Sequence, residues 1–293
     1  MIESLFVPLD LSDQVQVALT SGAERNLSLE CMTEGVPGGG ENLAMRAAEA
    51  FLDRAGLEAG LRIRLRKRIP PAAGLGGGSS DAASVLRALQ RLLPAALGER
   101  QIADLAVSLG ADLPFFLTAK PAFVSGIGER IELAHGIPGL PLLLTNPGSP
   151  LSTAEVYGLY DQLQGALTPT GAGPTMRSLS APQGASASES QVLQAFLRVL
   201  RNSHPRDHQG RGSEGGSPLL ENDLEPAAVR LCPAVETLRR EMKRVGAVET
   251  GLSGSGPTVF GIFASLDSAR EAREQLALSP PARSWVATST PST

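Results

Sequence analysis

Residues 70–83 read Pro70-Pro71-Ala72-Ala73-Gly74-Leu75-Gly76-Gly77-Gly78-Ser79-Ser80-Asp81-Ala82-Ala83. Four of the five residues at 74–78 are glycine. The backbone can therefore turn its amide groups toward one point, because no Cβ blocks unusual φ values. A helix is predicted to follow from about Ser80 to Leu92, and the unpaired amides and positive dipole end of a helix N-terminus attract a polyanion. The segment is therefore predicted to be an anion-binding loop.

An ordinary turn, in which Ser80 caps the helix and the glycines only reverse the chain, is the alternative. Three consecutive glycines and two serines between a strand and a strong helix favour anion binding. The hydroxyls of Ser79 and Ser80 would add contacts to phosphate oxygens or to a magnesium ion. A Walker A loop needs Gly-Lys-Ser/Thr at its end, and a dinucleotide fingerprint needs a glycine where Ser79 stands. Both common phosphate motifs are thereby excluded.

A lone acid lies among apolar neighbours in Gly110-Ala111-Asp112-Leu113-Pro114-Phe115-Phe116. A carboxylate held against a substrate hydroxyl can take its proton as phosphate arrives, which is general-base catalysis. The alternative is that Asp112 caps a helix that begins at Leu113, with Pro114 in its first turn. The local sequence leaves both interpretations open.

A second glycine-rich segment reads Leu252-Ser253-Gly254-Ser255-Gly256-Pro257-Thr258-Val259-Phe260. It is not a nucleophile elbow, because Ser255 occupies the place of the last glycine in G-x-S-x-G. Taken alone, the segment predicts a tight turn before a strand.

The composition excludes several classes of function. Of the 293 residues, 42% are hydrophobic, 19% are charged and 4% are aromatic, with a net charge of -4. This gives no basic field for nucleic acid or for an anionic membrane, and no window of 18 apolar residues predicts a membrane span. Cys31 and Cys232 form no disulfide framework, so a reduced, cytoplasmic setting is expected. His204 and His208 lie in a polar stretch and are interpreted as a solvated loop rather than a zinc site.

Alternating and helical patterns predict an α+β protein of two domains, with helices packed against largely antiparallel sheets. Residues 1–147 are predicted to form the first domain and residues 148–293 the second. In the second domain, Gly, Ser, Pro and Ala dominate the tracts 168–188 and 202–218, which predicts flexible surface insertions. A short helix, Val192–Leu200, is predicted between the two tracts.

Together, the three motifs resemble the galactokinase–homoserine kinase–mevalonate kinase–phosphomevalonate kinase superfamily. Mevalonate and homoserine kinases usually carry a shorter Gly-Leu-Gly-Ser-Ser loop. The longer form at 74–83 is typical of the 4-diphosphocytidyl-2-C-methyl-D-erythritol kinase family. The resemblance covers nearly the whole chain outside 168–218, and its further short matches are Glu41-Asn42-Leu43, Ser152–Tyr157 and Glu221–Glu225.

The resemblance implies two α+β domains with ATP and the substrate in the cleft between them. It implies that Asp112 is the general base and that Ser253 to Gly256 close the cleft from the second domain. The substrate would be a cytidine diphosphate sugar alcohol, phosphorylated on its 2-hydroxyl in non-mevalonate isoprenoid precursor synthesis, with ATP and Mg²⁺ required. The implied ATP-binding residues are Pro70, Pro71, Ala72, Ala73, Gly74, Leu75, Gly76, Gly77, Gly78, Ser79 and Ser80 of the loop, together with Asn42 and Lys67.

One departure from the family concerns the start of the sequence. The family opens with a strand carrying Pro-Ala-Lys-x-Asn-Leu and a Gly-Tyr-His segment, whereas Met1–Asp13 resembles the stretch just after them. No lysine precedes Lys67 and no histidine precedes His135. We therefore expect the sequence as written to lack the catalytic lysine and to be a poor kinase. A mevalonate- or homoserine-type kinase, or a nucleotide-binding remnant with impaired catalysis, stay open as alternatives.

Overall fold

The computed structural model describes the chain over residues 2–20, 25–33, 36, 39–167 and 222–292. The predicted tracts at 168–188 and 202–218, and the helix predicted at Val192–Leu200, lie outside the described residues.

Two compact units make up the chain. Unit 1 comprises Met1–Pro71 and Gly76–His135, and unit 2 comprises Ala72–Leu75 and Gly136–Thr293. The domain limits 1–147 and 148–293 stay a prediction. A strand that these limits count with the first domain, β7 (Pro141–Asn146), pairs with two strands of unit 2.

Unit 1 has two three-stranded sheets and a group of helices. In one sheet, of order β2-β4-β3, β4 is antiparallel to β2 and parallel to β3; the other sheet, of order β1-β5-β6, is antiparallel. Its elements are β1 (Ile2–Phe6), β2 (Gln14–Thr20), β3 (Leu27–Cys31), α1 (Leu43–Ala55), β4 (Gly60–Arg66), α2 (Gly77–Leu92), α3 (Glu99–Leu109), α4 (Leu113–Thr118), β5 (Ala122–Gly126) and β6 (Arg130–Leu133).

The alternation in β4 creates one buried and one exposed face. Leu61, Ile63 and Leu65 are fully or almost fully buried, whereas the intervening arginines at 62, 64 and 66 are exposed, as the period-2 pattern predicts. Helices α1 and α2 cover the buried face. Alanines on both helices allow close approach, and the fully buried Phe51 belongs to the same hydrophobic cluster as Leu61 and Ile63 of β4.

Helix α1 is capped at both ends. The side chain of Asn42 accepts a hydrogen bond from the Ala44 amide at 3.0 Å and caps the N-terminus. Gly56 ends the helix in the left-handed conformation, with φ of 63°.

Helix α2 begins at Gly77, three residues before the predicted start at Ser80. The interpretation of Ser80 as the N-cap is therefore wrong, because Gly76 holds that position and the Ser80 hydroxyl donates to the Gly77 carbonyl at 2.9 Å. Glycine has low helix propensity, which favoured a loop assignment. The amides of a first turn have no intrahelical partners in any helix, so glycines at these positions cost α2 no hydrogen bond.

Unit 2 is a four-stranded antiparallel sheet of order β10-β7-β9-β8 with helices packed on it. Val235, Leu238 and Met242 have helical spacing, and all three side chains are buried. Its elements are β7, α5 (Thr153–Leu167), α6 (Glu225–Leu231), α7 (Ala234–Arg244), β8 (Glu249–Leu252), β9 (Val259–Ile262), α8 (Leu266–Gln275) and β10 (Arg283–Thr288).

We expect Phe51→Ala to lower the free energy of unfolding by about 3–5 kcal/mol, because it leaves a cavity under α1 and α2. The matched control is Arg54→Ala on the exposed face of the same helix, with an expected change within about 0.5 kcal/mol. Urea unfolding followed by circular dichroism measures both changes. Equal losses in the two variants would contradict the assignment of Phe51 to the core of unit 1.

Candidate functional site

The first turn of α2 presents backbone amides without partners. The first intrahelical bond runs from the Ser80 amide to the Gly76 carbonyl at 2.9 Å. Within the described part of the chain, no acceptor bonds the amides of Gly77, Gly78 and Ser79. A Cβ placed on Gly78 would have no atom within 4 Å. Three adjacent donors at the positive end of a helix form a site that can bind an anion.

Gly76 sets the direction in which α2 begins. Its φ of 64° lies in the left-handed region, which favours glycine. A Cβ there would also lie 2.6 Å from Cζ of Phe116, so that ring packs directly on the glycine backbone. Phe116 belongs to α4, and α4 is thereby fixed against the N-terminus of α2.

Asp112 lies at the N-terminus of α4, one turn before Phe116. Its backbone is helical, with φ of −82° and ψ of −14°, and its side chain makes no capping hydrogen bond. The capping interpretation of Asp112 is therefore wrong, although α4 does begin at Leu113 with Pro114 in its first turn. Residues four apart share a face of a helix, so Asp112 lies on the side of α4 that contacts Gly76.

Burial raises the pKa of the Asp112 carboxyl above its ordinary value of 3.8. No hydrogen bond or ion pair joins this carboxylate to another residue among those the structure describes, so no partner offsets the loss of hydration. Phe115, which is 2% exposed, anchors the same short helix and packs edge-on against the ring of Phe6, with centroids 5.1 Å apart. Asp112 is therefore a half-buried carboxylate without a partner, on a firmly packed helix.

The first part of the predicted loop belongs to unit 2 and is held by the second glycine-rich segment. The Ser253 hydroxyl donates to the Gly74 carbonyl at 2.8 Å, and the Thr258 amide donates to the Ala73 carbonyl at 3.3 Å. Gly74 has φ of 72°, and a Cβ there would lie 2.4 Å from the Ser253 carbonyl oxygen. The segment after Leu252 therefore not only turns the chain but also holds residues 73 and 74 by hydrogen bonds.

Two side chains from elsewhere in the chain, Asn222 and Thr153, hold this segment, and the sequence reasoning gave them no such role. Asn222 donates from Nδ2 to the carbonyls of Leu252 and Gly254, at 3.0 and 2.8 Å. The hydroxyls of Thr153 and Ser255 lie 2.9 Å apart and share a hydrogen bond. Both Asn222 and Thr153 lie in short matches to the family, which was the available signal.

The two other predicted nucleotide-binding residues, Asn42 and Lys67, both bond groups of the protein. Asn42 caps α1. The ammonium of Lys67 contacts the carboxylates of Asp13 and Asp81, the latter at 2.7 Å, and all three side chains are at most 5% exposed. Burial raises the pKa of Asp81 to about 6, although the Lys67 charge opposes the shift. Sequence reasoning missed Asp13 and Asp81. The assignment of Asn42, Lys67 and residues 70–80 to ATP binding stays a prediction.

The described residues contain neither a metal-binding cluster nor a membrane-spanning helix. In those ranges, no cluster of three or more His, Cys, Asp or Glu side chains is arranged to hold a metal ion. No helix in the same ranges has the length and apolar character needed to cross a bilayer.

Comparison with known proteins gives a consistent result. Residues 42–120 match the model for the GHMP kinases N terminal domain, and residues 187–281 match GHMP kinases C terminal. The 4-diphosphocytidyl-2-C-methyl-D-erythritol kinase of Geobacter sulfurreducens is 35% identical over 95% of this chain and 85% of its own length. The enzyme of the same name from Anaeromyxobacter sp. (strain K) is 40% identical over 92% of this chain and 75% of its own.

A solved structure of 4-(cytidine 5'-diphospho)-2C-methyl-D-erythritol kinase has a TM-score of 0.72 and 35% identity, covering 98% of this chain and 89% of its own. The mevalonate kinase of Methanococcus jannaschii, at 13% identity and a TM-score of 0.65, shares the fold. The predictions of an α+β fold of this superfamily and of an ATP-dependent kinase are confirmed. The chain belongs to the 4-diphosphocytidyl-2-C-methyl-D-erythritol kinase family of the GHMP kinases.

Proposed function

We propose that this chain transfers the γ-phosphoryl group of ATP to the 2-hydroxyl of 4-diphosphocytidyl-2-C-methyl-D-erythritol. One observation carries the proposal: α4 packs through Phe116 on the N-cap of α2. This brings Asp112 to the first amides of α2, and neither the carboxylate nor these amides have a partner among the described residues. The names and identities of the family members support the choice of alcohol. The reaction would serve non-mevalonate isoprenoid precursor synthesis, and its cytoplasmic setting stays a prediction.

The amides of Gly77, Gly78 and Ser79 would hold the phosphates of ATP. They point from the positive end of α2, and the side-chain position of Gly78 opens into free space, so a bulky anion can approach the backbone. The Ser79 and Ser80 hydroxyls lie in the same turn and are oxygen donors of the kind that Mg²⁺ accepts. Mg²⁺ bound with ATP would neutralise charge on the phosphates, and phosphoryl transfer depends mainly on such positioning and charge stabilisation.

Asp112 would orient the substrate hydroxyl and accept its proton. An unprotonated carboxylate is needed for this role, and its basicity rises because burial raises its pKa. No cap or ion pair among the described residues competes for its oxygens. The side chain is therefore available to a substrate, and α4 keeps it on one side of the phosphate site.

The alternatives make different predictions about turnover. A mevalonate- or homoserine-type kinase would use the same phosphate site with another alcohol. A nucleotide-binding remnant would bind ATP and release no ADP with any of the three alcohols. The 35–40% identity to erythritol kinases over most of the chain favours the first assignment.

ADP release should be fastest with 4-diphosphocytidyl-2-C-methyl-D-erythritol when that alcohol, mevalonate and homoserine are compared. We expect Asp112→Asn to lower kcat by about 10²–10⁴, because the amide cannot accept the proton, while the Kd for ATP stays unchanged. Asp104→Asn, on the exposed face of α3, is the matched control and should keep wild-type rates. Full turnover by the Asp112 variant would refute its role as the base.

Gly78→Asp should raise the Kd for ATP at least about tenfold, since a like charge about 4 Å away near a surface is worth roughly 1–4 kcal/mol. The same carboxylate stabilises the first turn of a helix by about 0.3–1 kcal/mol, so the melting temperature should not fall. Gly78→Ala, which adds a methyl group without a charge, should weaken ATP binding less than the aspartate does. Isothermal titration measures the affinities. Unchanged binding by the aspartate variant would mean that the phosphates bind elsewhere.

The pH profile of kcat/KM should have an acid limb whose midpoint lies above the ordinary aspartate pKa of 3.8. As the pH falls through the raised pKa, Asp112 takes up a proton and can no longer act as a base. Asp81 also titrates near pH 6, so the profile is repeated with Asp81→Asn. A limb that disappears in that variant, or that lies at the ordinary value, would contradict the assignment to Asp112.

A further inference from the structure

Three buried charges lie directly beneath the first turn of α2. Lys67 follows β4, Asp13 precedes β2, and Asp81 lies in the second turn of α2. The Lys67 ammonium bonds both carboxylates, and the side chains are 5%, 2% and 4% exposed in that order. One buried cation therefore joins three segments that are far apart in the sequence.

Asp13 also fixes the backbone that leads into the phosphate loop. Its Oδ1 accepts hydrogen bonds from the amides of Arg68 and Ile69, at 2.5 and 2.9 Å, while its Oδ2 contacts Lys67. Both carboxylate oxygens of Asp13 therefore accept hydrogen bonds from residues 67–69. The segment after β4 is thus held in one conformation.

The first turn of α2 rests on this same segment without any side chain between them. A Cβ on Gly77 would lie 2.9 Å from Cγ2 of Ile69 and 3.2 Å from Nζ of Lys67. Both distances are too short for a real methyl group without movement of the neighbours. Gly77 therefore lets the helix backbone approach the cluster, and a shift in Lys67 or Ile69 would shift the amides above them.

Stability alone is a weak explanation for such a cluster. Two carboxylates share one buried ammonium here, and a buried ion pair is often no better than apolar residues of the same volume. Burial raises the pKa of Asp81 despite the lysine, which shows that desolvation outweighs the pairing at that carboxylate. What the charges supply is a fixed geometry, since each hydrogen bond has a specified direction.

We propose that Lys67, Asp13 and Asp81 are positioning residues that set the direction of the Gly77–Ser79 amides toward the phosphates of ATP. Lys67 acts from below the loop, through its bonds to the two carboxylates. This inference rests on the proposed function, because it assumes that those amides bind ATP.

The test compares Asp81→Ala, Asp81→Asn and Val85→Ala. The alanine at 81 removes the acceptor of Lys67, whereas the asparagine keeps an oxygen and nearly the same volume. Val85 is a fully buried residue of the same helix outside the cluster, so its variant reports destabilisation alone. Misplaced binding groups can cost up to about 10²-fold. We expect the Kd and KM for ATP to rise roughly tenfold or more in Asp81→Ala, with little change in the KM for the alcohol.

Asp81→Asn should restore most of the ATP affinity, and Val85→Ala should bind ATP normally although its melting temperature falls. If Asp81→Ala binds ATP as tightly as Val85→Ala does, the cluster is structural only and the proposal is wrong. Should Asp81→Ala fail to fold, Asp13→Asn replaces it. Its amide places a donor against either Lys67 or the Arg68 and Ile69 amides, so it too should weaken ATP binding.

A second readout needs no nucleotide. Hydrogen exchange at the Ser80 amide, which bonds the Gly76 carbonyl, should be faster in Asp81→Ala than in Val85→Ala of the free protein. If the wild type binds no ATP, the proposed function fails, and this comparison still decides whether the cluster orders the first turn of α2. Equal exchange rates in the two variants would overturn the inference by themselves.

Discussion

An α-helix leaves the amides of its first turn without intrahelical partners. In α2, these amides are accessible from outside the helix. Residues without bulky side chains, Gly77, Gly78 and Ser79, hold these positions, so an anion can reach the backbone directly. The rest of unit 1 supports this arrangement: the sheet and α1 bury the body of α2, and α4 packs on its N-cap. An anion would both satisfy the amides and neutralise the positive end of the helix.

Three of the four glycines at positions 74–78 lie in close contact with neighbouring residues. Gly74 lies against the Ser253 carbonyl, Gly76 against the Phe116 ring, and Gly77 against Ile69. Each would bring a Cβ within 3 Å of its neighbour. Only Gly78, among the four, has open space where a side chain would be. Three of these glycines therefore allow tight packing, and Gly78 leaves the anion site accessible.

The sequence predicted the regular parts of the fold well because their causes are local. The alternation at Leu61–Leu65 depends on residues that are near one another in the chain. The start of α2 was misplaced because helix propensity is a weak guide at a first turn, where packing by neighbours decides. The partners of Lys67 could not be found from spacing, since Asp13 is 54 residues away and its contact exists only in the folded sheet.

Among the described residues of unit 1, burial raises the pKa of two carboxyl groups, those of Asp81 and Asp112. The surroundings of Asp81 indicate a structural role, and those of Asp112 indicate a chemical one. Asp81 has a lysine within hydrogen-bonding distance, and this bond lies inside the protein. Burial also raises the pKa of Asp112, yet neither a cap nor a cation among the described residues offsets it. A half-buried acid that bonds no other described residue breaks the local rules of a stable fold. Such exceptions are expected at functional sites, where the missing partner is the substrate.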